Sequence, residues 1–120
     1  MNIDTIIKRN YIKSSFKPEK ITNAILKAML SVNNGELEDA EQVTIKVEVA
    51  LLVRKESIPN YVPNVEEIQD LVEQKLMQSD FLDVAKSYIL YRNTQAQKRK
   101  RNIFEKRLNL KPYEYPELYE

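Results

Sequence analysis

Lys8, Arg9, Lys17 and Lys20 gather in the segment KRNYIKSSFKPEK, and together they have the chemistry of an anion site. Pro18 marks the start of a helix, because a proline's missing N–H costs nothing in a first turn. The residue before it, Lys17, has no side-chain oxygen to cap that helix, where Ser, Thr, Asp or Asn is preferred. Cations therefore stand beside unpaired backbone N–H groups, at the positive end of a helix dipole. An anion would make that arrangement tolerable, and phosphate suits backbone N–H groups and several cations together. The alternative is a solvated basic face, the commoner fate of a charge run.

Nothing else in the composition offers reactive chemistry. The 120 residues suffice for one domain with a modest core, and 19 basic against 18 acidic residues leave a net charge of +1 that names no partner. The absence of cysteine removes disulfides, thiol nucleophiles and zinc clusters, and the absence of histidine removes the usual general base. No apolar run approaches the roughly 20 residues of a membrane span, and the N-terminus has no signal-peptide core. These features describe a soluble, cytoplasmic domain that binds without catalysing and holds no metal through its own side chains.

The elements that must position the cations can be read from the patterning. Ile3, Ile6, Ile7, Tyr11, Ile12 and Phe16 are β-formers interrupted by Lys8, Arg9 and Asn10, which predicts a short hairpin turning near Asn10. Four helices follow. PEKITNAILKAMLSV carries Ile21, Ala24, Ile25, Ala28 and Met29 at helical spacing, with the chain's one glycine, Gly35, just beyond. EDAEQVTIKVEVALLVRK aligns Val43, Val47, Ala50 and Leu51. NVEEIQDLVEQKLMQ begins with Asn64 as N-cap and Glu67 three residues on, a capping-box pattern, before Ile68, Leu71, Val72 and Leu76. SDFLDVAKSYILYRNTQAQKRKR opens with Asp80 as a cap and runs through Phe81, Val84, Ala85, Tyr88 and Ile89. Short connections between amphipathic helices imply a small, mainly α four-helix bundle, with the hairpin capping one end or side. Near Lys98 the composition shifts to KRKRNIFEKR and then to a segment whose Pro112 and Pro116 exclude a continuous helix. This places a domain over residues 1–97, and a basic helix extension with an extended linker into a further domain over 98–120.

KRNYIKSSFKPEKITNAILKAM, together with VEEIQDLVEQKLMQSDFLDVAKSYILYR, resembles the ATP-cone domain, the nucleotide-sensing module of ribonucleotide reductases and of the repressor of their genes. The likeness spans residues 3 to 95. It implies that Lys8 and Arg9 grip a triphosphate and that Lys20 completes the grip, with Lys17, in place of a usual Asp or Asn, adding charge beside it. It places Val65 and Gln69 against base and sugar, and lets Arg92 reach the phosphates from the last helix. Packing at a helix start would account equally well for Val65, and exposed polar positions for Gln69 and Ser14. Two positions depart from the family pattern: Tyr11 replaces the turn glycine, and Ser14 replaces a glutamate. The implied ligand is ATP or dATP, with Mg²⁺ carried on the phosphates and water.

The resemblance also implies a role. ATP would keep a reductase active and dATP would inhibit it by altering oligomeric assembly, through contacts with other ATP cones and with the catalytic subunit. RNIFEKRLNLKPYEYPELYE resembles the segment entering a ferritin-like radical-generating subunit, so the host expected from sequence is that small subunit, its di-metal carboxylates lying in the missing part. A competing reading makes Lys98–Arg101 a nucleic-acid surface. Against it stand the near-zero net charge and the absence of a nucleic-acid motif. A purely structural bundle would leave Lys8, Arg9 and Lys20 unexplained.

Overall fold

The computed structural model describes residues 3–107. Strand β1 (Thr5–Ile7) pairs antiparallel with β2 (Lys13–Ser15), setting Thr5 opposite Ser15, Ile6 opposite Ser14 and Ile7 opposite Lys13. Helices α1 (Pro18–Ser31), α2 (Leu37–Ser57), α3 (Val65–Gln78) and α4 (Leu82–Arg107) follow. Each packs on its neighbour in the chain and α4 returns beside α1, giving the ring order of a four-helix bundle. Ile6 of the hairpin joins a core built on Ile21, Ile25 and Met29 of α1, Val43, Val47 and Leu51 of α2, Ile68, Val72 and Leu76 of α3, and Val84 and Tyr88 of α4. The linker expected beyond Arg107 lies outside the described residues.

Helix ends explain much of the geometry, and two of them differ from expectation. Lys17 makes no side-chain cap and Pro18 opens α1, as the composition of that turn requires. Asn64 caps α3 by accepting a hydrogen bond from Glu67 N at 2.8 Å. The reciprocal half of the box is not made, because the Glu67 carboxylate is taken by Arg54 of α2 and by the Tyr61 hydroxyl. Burial and then that carboxylate push the Tyr61 phenol up to about 12. A full capping box forms instead at Glu36 and Asp39, which extends α2 one residue before the expected start. Asp80 is not an N-cap. It adopts φ +64 and closes α3, with Asp80 N donating to Met77 O at 3.3 Å and Phe81 N to Leu76 O at 2.9 Å, the pattern of a Schellman motif. Aspartate tolerates the left-handed region, so the residue type that suits an N-cap here serves the preceding helix end.

The same motif ends α1, with Asn33 at φ +53, Asn33 N donating to Leu30 O and Asn34 N to Met29 O. Gly35 follows at φ +104, and a Cβ there would lie 2.5 Å from Met29 Sδ inside the core. Gly35→Ala is therefore expected to lower stability by about 1–3 kcal/mol through left-handed strain plus displacement of Met29. Urea unfolding of the two proteins measures it.

Hydroxyl pairs link the helices: Thr22 and Thr44 at 2.7 Å between α1 and α2, and Ser31 and Ser87 at 2.6 Å between α1 and α4. The hairpin is fastened separately. Ile7 N donates to Pro63 O at 2.9 Å, and Ile7 bridges in parallel to Asn64, so the turn after β1 is held at the N-terminus of α3.

Candidate functional site

That fastening determines where the turn cations go. Lys8 N donates to Ile12 O and Tyr11 N to Lys8 O, each at 2.9 Å, and Asn10 Oδ1 accepts from Ile12 N at 3.1 Å. This is a three-residue loop, Arg9–Tyr11, whose last residue must be left-handed, and Tyr11 sits at φ +66. Tyr11 thus holds a left-handed backbone conformation that glycine adopts most readily. From this loop Lys8 and Arg9 reach a surface cavity of about 590 Å³, lined also by Ile7, Tyr11, Asn64, Val65, Glu66 and Arg99.

The cavity lining is cationic at Lys8, Arg9 and Arg99, apolar at Ile7 and Val65, and includes Tyr11, Asn64 and the acidic Glu66. Val65 is a core residue at the start of α3, so its role at the wall and its packing role coincide. Arg9 donates to the Glu66 carboxylate, and its Nη2 donates to Gln69 Oε1 at 3.2 Å. Gln69 is only 6% exposed, which removes the reading of it as an ordinary surface polar residue. Arg92 does not line the cavity. Its guanidinium reaches across from α4 to Glu66 (2.6 Å), Asp70 (2.7 Å) and Glu73 (2.8 Å) of α3. Burial works to lower its pKa, but the hydrogen bonds to Asp70 and Glu73 outweigh that and raise it. Glu66 thus stands between two arginines, one at the cavity and one behind it.

The remaining cations and Ser14 are placed elsewhere. Lys17 stands before α1 and Lys20 in its first turn, and neither lines this cavity. Ser14 faces Ile6 across the hairpin and is half-buried. Sequence reasoning did not assign Arg99, Glu66 or Tyr11 to the nucleotide site: it took Tyr11 as a departure at the turn and Arg99 as part of the basic run Lys98–Arg101. Arg99 could have been found by spacing: it follows Arg92 by two helical turns, so both lie on the side of α4 that meets α3 and the hairpin. Among the described residues no cluster of acidic side chains, histidines or cysteines could hold a metal ion, and no helix is long and apolar enough to cross a membrane.

A family described as the ATP cone domain matches residues 4–97. The chain belongs to the ATP-cone family. This ATP cone is 54% identical over 95 residues to a vitamin B12-dependent ribonucleoside-diphosphate reductase of Thermoplasma acidophilum, a match covering 75% of this chain and 12% of the relative. It is 37% identical over 107 residues to the ribonucleoside-diphosphate reductase subunit alpha of Chlamydia pneumoniae, covering 82% and 10%. With an anaerobic ribonucleoside-triphosphate reductase of Haemophilus influenzae it shares 33% identity over 88 residues, covering 73% and 12%. The chain thus spans about a tenth of the length of these relatives. They correct the expected host: the cone matches alpha subunits and other reductases, so the likeness of residues 101–120 to a radical-generating subunit misled. That likeness rested on a short segment rich in tyrosine and proline, most of it outside the described residues.

Proposed function

We propose that this ATP cone binds ATP or dATP in the cavity beneath the hairpin turn and sets the overall activity of a ribonucleotide reductase whose catalytic subunit carries it. The observation that supports it most is the convergence of Lys8, Arg9 and Arg99 with the apolar Ile7 and Val65 on one cavity, in a chain of this family. Phosphates would meet the cations and the base the apolar wall, with Gln69 reached through Arg9. Lys20, at the start of α1, extends the proposed site as the family pattern has it, and Lys17 beside it and Ser14 on the hairpin extend it with residues that replace the family's own. Mg²⁺ would travel on the phosphates and be held there and by water. The domain performs no chemistry itself, and its setting is the cytoplasm. A nucleic-acid role for Lys98–Arg101 finds no support, since Arg99 is directed to the cavity and the relatives are nucleotide reductases.

A ligand shifts an assembly only through different affinity for its two states. ATP and dATP differ by one 2′-hydroxyl, so the contact that separates them lies near the sugar and must alter a surface used between subunits. Calorimetric titration is expected to give heat with ATP and with dATP and none with a short DNA duplex at moderate salt. Light scattering is expected to give a larger mass with dATP than with ATP. Absence of heat with both nucleotides overturns the binding role, and equal masses remove the assembly role alone.

A further inference from the structure

Five described residues adopt positive φ, and four are of types that suit it: Asn33, Asn60, Asp80 and Gly35. Tyr11 is the exception. A bulky side chain in the left-handed region crowds its own carbonyl, and the loop geometry would be met at no such cost by glycine. The ring does not recover that cost by packing, because Tyr11 is 89% exposed. Yet Tyr11 lines the cavity together with the apolar Ile7 and Val65 and the cations Lys8, Arg9 and Arg99. An aromatic side chain that is exposed, backbone-strained and next to three cations has little to do in the empty domain, but it is well placed for a planar anionic ligand.

We propose that Tyr11 is a base-stacking residue, which covers the purine face of the bound nucleotide while Lys8, Arg9 and Arg99 hold its phosphates. This rests on the nucleotide reading above and adds to it a residue that the family pattern, with glycine here, does not supply. The apolar wall beneath and the ring above would sandwich the base, so the phenol hydroxyl is dispensable and the ring is not. The side chain then trades stability of the empty domain for affinity.

Three proteins test it, the parent, Tyr11→Phe and Tyr11→Gly, each titrated with Mg-ATP and with inorganic tripolyphosphate, which has the charge and no base. Tyr11→Gly is expected to raise the ligand-free melting temperature by about 2–6 °C as the strain is relieved. Its ATP affinity is expected to fall about tenfold, since stacking a base on an aromatic ring is commonly worth that much or more. Tripolyphosphate affinity should stay at the parent value, and Tyr11→Phe should bind ATP as the parent does. If Tyr11→Gly binds ATP as tightly as the parent, or loses tripolyphosphate in the same proportion, stacking is overturned while the nucleotide site stands. If the parent itself binds neither ligand, the nucleotide reading fails and stacking with it.

Discussion

Lys8→Ala is expected to weaken ATP and dATP binding by about ten- to a hundredfold, because a charge-assisted contact to phosphate is worth roughly 1.5–3 kcal/mol. Arg9→Ala should cost less, although arginine is the better phosphate fork. Arg9 is already engaged by the Glu66 carboxylate and by Gln69, so a phosphate that takes it must displace an anion that is in place. Lys8 enters no ion pair among the described residues and gives up nothing of that kind. Losing both should remove measurable binding at micromolar protein, with the circular dichroism spectrum unchanged because neither side chain is part of the core. Raising the salt should shrink every one of these differences, since the cavity is open to screening. Arg99→Ala and Lys20→Ala complete the set: the cavity wall predicts a loss for the first, and the family pattern a loss for the second. Parent-like affinity in the Lys8 and Arg9 variants would move the site away from the hairpin turn.

How far the residues alone disclose this arrangement depends on whether the signal is local. Pro18 and Gly35 bracket α1 and Asn64 starts α3, since each acts on its own backbone and no distant partner competes. Asp80 was legible as a helix boundary but not as which end of which helix, because its short carboxylate and its tolerance of positive φ serve both. Glu67 failed as a reciprocal cap for a tertiary reason: Arg54 and Tyr61 arrive from the end of α2 and the loop after it, and a local pattern carries no information about them. The same division runs through the site. Lys8 and Arg9 could be read from a turn flanked by β-formers. The helix-capping argument grouped them with Lys17 and Lys20, whereas the Ile7–Pro63 hydrogen bond carries the turn to α3 instead. Arg99 was hidden inside Lys98–Arg101, where only the direction of α4 decides which cation faces the hairpin. Glu66 looked like any acidic residue in a first helical turn, where the dipole favours one.

Arg92 carries the largest expected loss of stability among the polar residues of the bundle. Glu66, Asp70 and Glu73 follow one another along one face of α3, and a single guanidinium from α4 neutralises all three. Its side chain is 19% exposed, and Glu73 beside it is 18% exposed, so the innermost pair is shielded from solvent while Asp70, at 69%, is well screened. Arg92→Met keeps the aliphatic stem against the bundle but leaves three like charges in a row, one of them, Glu73, with little solvent to stabilise it. Discounting the exposed pairs, the expected cost is about 2 kcal/mol at neutral pH and low salt. Glu73→Gln in the Arg92→Met background should recover more of it than Asp70→Asn, because the less exposed carboxylate is the costlier one. The change should also reach the cavity. With Arg92 gone, Glu66 has Arg9 as its remaining guanidinium partner and holds it more tightly, so nucleotide affinity falls although Arg92 does not line the cavity. Adding Glu66→Gln should restore affinity and leave the stability loss largely uncorrected, since Glu66 is 55% exposed. Thermal unfolding and ATP titration on the four proteins of this double-mutant cycle separate the two effects. If Arg92→Met leaves both melting temperature and affinity at the parent values, the chain of charges from Arg9 through Glu66 to Arg92 carries no coupling, and the cavity acts independently of the α3–α4 contact.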